Sequence, residues 1–232
     1  MSDDHRASRR TYISPLPHPL VLASGSPRRS RILSGLGLEP RVMPAGLDEG
    51  RLQSDSTPEQ WATRLAREKA LRVAERAPGT VVLGADTVVA VDGEALGKPA
   101  DEAEARSVLR HLRGRWHDVI TGVALEGELG IGSGHVRTRV LFRRYADQEI
   151  EEYIATGSPM DKAGSYGIQD TTFSPVERIA GCYLNVVGLP VCLLAELFRD
   201  ADVEVKLDCE RCGQNGMAEP ETSVAGCREG TL

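Results

Sequence analysis

The chain has 232 residues, 27% of them charged and 41% apolar, with 24 glycines. That is the size of one domain with room for tails, and the balance excludes a wholly disordered chain, a collagen and a coiled-coil rod. The formal net charge of −6 excludes the overall basic field that attracts nucleic acid, leaving only local basic clusters to consider. No run approaches the ~18 consecutive apolar residues of a membrane helix. The opening stretch MSDDHRASRRTYISPLPHP mixes both charge signs with prolines and matches neither a signal peptide nor a transit peptide. The cysteines (Cys182, Cys192, Cys209, Cys212, Cys227) are odd in number, which speaks against a disulfide framework and for a reduced, cytoplasmic setting.

Residues 1–19 read as a disordered tail and 20–202 as the folded domain. Leu20 to Ala23 is a short apolar run that hands over, through Ser24-Gly25-Ser26-Pro27, to a helix over Arg29 to Leu36. Thr57-Pro58-Glu59-Gln60 starts a second helix, with Thr57 as cap, Pro58 at the first position and Gln60 closing a capping box. It runs to about Arg76, where Pro78-Gly79 stops it. Thr80 to Val91 is a β-branched run turned by Asp92-Gly93, a hairpin signal. Asp101 with Glu104 caps a helix reaching His111 or Leu112. Strands follow over His117 to Leu125 and over the alternating Val136, Thr138, Val140, Phe142, with glycine-rich Gly127 to Gly134 as the loop between them. Asp147 to Thr156 is a short helix closed by Gly157, and Pro190 starts a last one to about Phe198. Residues 203–232 read as a second disordered tail carrying Cys209-x-x-Cys212, which is half of a zinc knuckle or, more plainly, free thiols. The mixture predicts an α/β fold with parallel and antiparallel pairs.

Several familiar chemistries are absent. There is no P-loop, no nucleophile elbow and no His-Glu-x-x-His site, and Gly35-x-Gly37 meets Pro40 where a dinucleotide fingerprint needs a third glycine. What remains are residues that local structure does not explain. Arg28 and Arg29 stand in the first turn of a helix, where the dipole prefers acids, so the turn is either simply solvated or binds an anion. Lys69 falls inside the apolar arc of Trp61, Ala62, Leu65, Ala66 and Val73, and must snorkel or meet an anion. Asp86 interrupts a buried-strand run; it either caps a turn beside Gly84 or serves a cleft. Lys98 sits in a Gly-Lys-Pro turn, and Asp161 to Gln169 packs charges, glycines and an amide into one loop. Together these are the ingredients of a phosphate-and-metal site.

Leu22-Ala23-Ser24-Gly25-Ser26-Pro27-Arg28-Arg29, Asp48-Glu49, Lys69-Ala70, Gly84-Ala85-Asp86-Thr87-Val88-Val89, Gly97-Lys98-Pro99, Asp161 through Gln169 and Asn185-Val186-Val187-Gly188-Leu189-Pro190 occur in order. In these blocks the chain resembles the Maf family of nucleoside triphosphate pyrophosphatases, also described as septum-formation inhibitors, over about residues 20–199. The resemblance implies an elongated mixed sheet with helices on both sides, similar to inosine triphosphate pyrophosphatases, and two lobes around a cleft. It implies cleavage of the α–β phosphoanhydride with a divalent cation, Mg²⁺ or Mn²⁺, in a homodimer; the cysteines, the hydropathy and the net charge point to a cytoplasmic protein that uses neither nucleic acid nor membrane. Carried over by position, Asp86, Glu49, Lys69 and Lys98 would be catalytic, with Asp86 and Glu49 as metal ligands. Ser24, Arg28, Arg29, Thr87, Gln169, Asp161 and Lys162 would bind substrate. Thr87, Gln169 and Arg28 match the variant acting on dTTP and UTP; a sister variant preferring 7-methyl-GTP carries Gln at the Thr87 position. A nucleotide-sensing regulator of cell division is the alternative reading, with division arrest as an associated role. Asp170 stands where the family often has glycine, a change that aspartate's tolerance of left-handed backbone would accommodate.

Overall fold

The computed structural model describes residues 12–47, 56–130, 132–206 and 222–223. In chain order it contains β1 (Tyr12–Ile13), β2 (Leu20–Leu22), α1 (Pro27–Gly35), β3 (Arg41–Val42), α2 (Pro58–Ala74), β4 (Val81–Val91) and β5 (Glu94–Leu96). There follow α3 (Glu102–Leu112), β6 (Trp116–Gly127), β7 (Gly132–Phe142), α4 (Asp147–Ala155), β8 (Val176–Ala180), α5 (Tyr183–Val187), α6 (Val191–Asp200), β9 (Val205–Lys206) and β10 (Thr222–Ser223).

Local chemistry sets the helix starts. Thr57 Oγ1 accepts from the Gln60 amide at 3.3 Å while Gln60 Oε1 accepts from the Thr57 amide at 3.0 Å, the reciprocal box expected for α2. Asp101 Oδ1 accepts from the Glu104 amide at 2.8 Å and begins α3 in the same way. Asp92 and Gly93 both adopt positive φ, 52° and 84°, as the type I′ turn between β4 and β5 requires.

The sheet runs β10-β8-β7-β6-β4-β2-β3, with β5 added to β4. Pairing is parallel where β2 meets β3 and β4, and antiparallel from β4 through β6 and β7 to β8. Both faces of β4 are buried. Leu83, Ala85 and Val89 share one apolar cluster with α1, α3, α4 and α6, while Val82, Val88 and Ala90 pack on the other side with α2. Helix α2 lies almost on the backbone of the sheet. A Cβ at Gly84 would stand 2.1 Å from the Ala66 carbonyl oxygen, and one at Gly122 would stand 2.3 Å from that of Ala62. Glycine at these two positions is therefore what admits the helix.

Three readings of the sequence change. The stretch from Gly127 to Gly134 contains a shorter loop than expected, because β6 runs to Gly127 and β7 begins at Gly132. Its glycines serve packing: a Cβ at Gly134 would come within 2.9 Å of Leu193 Cδ1 on α6. The folded body also exceeds 20–202. Tyr12 and Ile13 pair with Lys206 and Val205, and buried Ile13 and Val203 join the main core. Thr222 and Ser223 add an edge to β8. Finally β8 and α5, which the hydrophobic pattern did not announce, connect the Asp161 loop to α6. Cys209, Cys212 and Cys227 lie outside the described residues.

Candidate active site

β4 has different neighbours along its two halves. Val81 to Leu83 pair with β2, and Val89 to Val91 pair with β5. Among the described residues no strand covers that edge between Gly84 and Val88. Strand side chains alternate between faces, so Asp86 points toward α2 and Thr87 toward the opposite side. At the uncovered edge both reach the same cleft, of about 610 Å³.

One wall is the turn from β2 into α1. Arg28 and Arg29 fill the first turn of α1, which holds no acid. Arg29 is only 9% exposed and its guanidinium is committed to three neighbours. Nη1 donates to Ser24 Oγ at 2.7 Å, Nη2 to Thr87 Oγ1 at 3.1 Å and Nε to the Gly188 carbonyl at 2.8 Å. Arg28 lines the cleft beside it.

The floor is built by α2 and β4. Of the two outcomes open to Lys69, the structure shows the second: Nζ donates to Asp86 Oδ1 at 2.5 Å, with both side chains 9% exposed. An ammonium on the apolar face is tolerable because it meets a carboxylate there. The contact depends on the close approach of α2 that Gly84 permits.

The outer wall is made of two loops tied to each other. The Gly164 amide donates to the Gly97 carbonyl at 3.1 Å, joining the Asp161 loop to the Lys98 turn. Gly164 and Ser165 both adopt left-handed backbone, and a Cβ at Gly164 would lie 2.9 Å from Val89 Cγ1. Lys162 Nζ donates to Asp161 Oδ1 and to the Ser158 carbonyl, each at 2.5 Å. Partial burial pushes the Asp161 carboxyl up, but Lys162 and then Arg28 outweigh it and hold the group below its ordinary range. Gln169 and Lys98 face the same space. Asp170 has no left-handed backbone; its Oδ1 instead accepts from the Thr172 and Phe173 amides at 3.0 and 3.1 Å, so the expectation about its conformation is replaced by a turn cap. Behind the loop, Tyr166 and His117 Nε2 share a hydrogen bond of 2.9 Å, and burial lowers the imidazole to about 4.

The structure thus brings Ser24, Arg28, Arg29, Lys69, Asp86, Thr87, Lys98, Asp161, Lys162 and Gln169 to one cleft. Glu49 lies outside the described residues. Not anticipated were Thr121, His117 and the Gly188 carbonyl. Thr121 carried the same signal as Asp86, a polar residue inside an apolar strand run.

Among the described residues no three His, Cys, Asp or Glu side chains cluster to form a metal cage. The donor set fits a different arrangement. Mg²⁺ prefers hard oxygens, keeps much of its water and is commonly held by one or two carboxylates plus substrate phosphates. Asp86 on the floor supplies a carboxylate of that kind. No helix among the described residues is long and apolar enough to cross a membrane.

A family model described as Maf-like protein matches residues 19–201. The chain is 48% identical over 216 residues to a dTTP/UTP pyrophosphatase of Thermomicrobium roseum, covering 90% of this chain and 99% of the relative. Relatives with the same description in Geotalea uraniireducens (47% identity, 78% of this chain and 93% of the relative) and Hahella chejuensis (44%, 82% and 95%) are similar over nearly their whole length. Among solved structures the chain is similar to a nucleoside-triphosphatase / dITP/XTP pyrophosphatase of Mycobacterium abscessus, with 18% identity, a TM-score of 0.35 and coverage of 54% of this chain and 75% of that one. A match along almost the entire folded body, with relatives this similar from end to end, makes this chain a member of the Maf family.

Proposed function

We propose that the protein hydrolyses dTTP and UTP to the monophosphate and pyrophosphate. The observation that carries this reading is the gathering of Arg28, Lys69, Lys98 and Lys162 around Asp86 in one cleft. Phosphoryl transfer asks a protein mainly for positioning and charge neutralisation, and this is a site composed for both. The names of the relatives supply the substrate class.

In the proposed mechanism Asp86 takes the proton of a water directed at the α phosphorus. The oxygen–phosphorus bond forms as the bond from the α phosphorus to the bridging oxygen breaks, and pyrophosphate leaves. Lys69, beside Asp86, favours the ionised carboxylate before the step and adds positive charge near the triphosphate. Arg28 and Lys98 neutralise the departing group, while Arg29 acts through Ser24 and Thr87, which it holds. Asp86, with Glu49 as the second expected ligand, would hold a Mg²⁺ or Mn²⁺ that screens the triphosphate charge. The reading takes the protein as a cytoplasmic homodimer and gives nucleic acid no part.

The test is pyrophosphate release from a panel of nucleoside triphosphates with Mg²⁺, with and without chelator. Release from dTTP and UTP should vanish with chelator and fall about 10²-fold or more in Asp86→Asn. Activity confined to 7-methyl-GTP would overturn the substrate class. Tight binding without any release would favour the nucleotide-sensing alternative.

A further inference from the structure

Arg31, on α1 one turn beyond Arg28, also lines the cleft and has no part in the mechanism above. Residues three apart share a helix face, so the two arginines form a row from the half-buried wall to the exposed rim. Helical side chains lean toward the N-terminus, and Arg31 follows the rule. Its Nε donates to the Pro27 carbonyl at 3.4 Å, back across the first turn of α1. So long a bond on an exposed side chain holds the guanidinium only loosely.

Folding gives no reason for an arginine there. α1 carries Arg28, Arg29 and Arg31 near its start, with no acid in its first turn and no base in its last. Like charges so placed repel one another and oppose the helix dipole. The acids that line the cleft are engaged elsewhere. Asp86 accepts from Lys69, Asp161 from Lys162, and Asp170 from the Thr172 and Phe173 amides. Arg29 is spread over Ser24, Thr87 and Gly188. Arg31 donates to no carboxylate among the described residues.

An anion between Arg28 and Arg31 would offset that repulsion, and the most highly charged part of a nucleoside triphosphate is its terminal phosphate. A guanidinium only donates, and its fork matches two phosphate oxygens. We propose that Arg31 is a further substrate-binding residue that, with Arg28, holds the terminal phosphate and hence the outer half of the departing pyrophosphate. Asp86, on the floor, stands at the α phosphorus in the mechanism above; Arg31, at the rim, is the more exposed of the two arginines. The inference rests on the triphosphate reading and deepens it, because it makes the length of the phosphate chain a property the site measures. A nucleoside diphosphate would fall short of Arg31.

The experiment uses the full chain with Mg²⁺. Calorimetry measures binding of the non-hydrolysable α,β-methylene analogues of dTTP and dTDP, and pyrophosphate release from dTTP measures turnover. Arg31→Gln should melt with wild type, weaken the dTTP analogue about three- to tenfold and leave the dTDP analogue unchanged. KM for dTTP should rise by a similar factor with little change in kcat. Arg31→Lys, which keeps the charge without the fork, should recover part of the loss. Arg199→Gln makes the same charge change on exposed α6 surface away from the cleft and should alter nothing. Equal weakening of both analogues, or equal effects of Arg31→Gln and Arg199→Gln, would make Arg31 a source of general positive potential and overturn the proposal. Unchanged binding in Arg31→Gln would make it a solvated side chain and overturn the proposal as well. Selective weakening of the dTTP analogue, in a protein whose wild type releases no pyrophosphate, would fail the hydrolase reading and leave this inference standing. Normal release by wild type and Arg31→Gln alike, with equal KM, would fail the inference alone.

Discussion

Replacing Lys69 with methionine keeps the length and apolar stem of the side chain and removes only the ammonium. Its partner Asp86 stays where it is, with a side chain 9% exposed and no longer 2.5 Å from a positive charge. Removing one member of a buried pair costs about 3–5 kcal/mol, because the remaining charge has lost that partner. Since Asp86 borders a cleft that admits water, the lower end is the better expectation. A domain of this size shifts its melting temperature by roughly 2–4 °C per kcal/mol, so Lys69→Met should melt about 6–12 °C below wild type at neutral pH. Adding Asp86→Asn to the same protein replaces the buried carboxylate with a neutral amide and should return part of the loss. Contacting residues of this kind couple by about 0.5–3 kcal/mol in such cycles. Thermal and urea unfolding of wild type, both single variants and the double variant would measure it. If Lys69→Met melts with wild type, or if the double variant loses the sum of the singles, the two side chains do not form an energetic unit. The buried position of Lys69 would then be a matter of its hydrocarbon stem alone.

Gly84→Ala should harm function through geometry. Its methyl would stand 2.1 Å from the Ala66 carbonyl oxygen and 2.9 Å from the Ala70 Cβ, so α2 must move and take Lys69 with it. Overpacking costs about 1–3 kcal/mol, and pyrophosphate release should fall further than that loss of stability explains; an unchanged melting temperature with unchanged activity would refute the close approach. His117 makes a statement about pH. Burial lowers its imidazole from 6.5 to about 4, so below 6.5 the unfolded chain binds a proton that the folded chain refuses. Stability is therefore complete above pH 6.5 and is lost as the pH falls toward 4, by roughly 3 kcal/mol in all. Urea unfolding across that window should show a shallower decline for His117→Gln, and equal declines would mean the histidine is not held neutral.

What could be read in the sequence was whatever has a short-range cause. The capping box at Thr57, the Asp92-Gly93 turn and the apolar arc of α2 are each written within a few residues, and each stands in the structure where expected. The oddity of Lys69 was visible for the same reason, since a helical wheel suffices to show a cation on the wrong face. Its partner was not visible. The meeting with Asp86 requires α2 to lie on the sheet, and that depends on glycines at 84 and 122 whose role only the packed helix reveals. The glycines of β7 misled in the opposite direction: their ordinary meaning is a loop, and the need of α6 for a bare backbone overrides it. β8 and α5 are five residues each, too short to show a period. Thr121 went unread because a buried hydroxyl acquires meaning only from the carbonyl it faces, here that of Asn185.

The pairing of β1 with β9 turns the chain into a closed ring in the topological sense, since its two strands lie at opposite ends of the main described body. No strand pairing among the described residues spans more sequence. The entropy lost in closing so large a loop grows only with its logarithm, yet the pairing that offsets it is short, two ladder pairs and a bond from the Ser14 amide to the Glu204 carbonyl. The clasp therefore has little strength of its own and forms on a sheet already assembled, with Ile13 set into a core that other elements have built. It would be the late event of folding and the early event of opening. Amide exchange at Ile13 and Val205 would then report partial opening of the ring long before the strands that carry the cleft begin to separate.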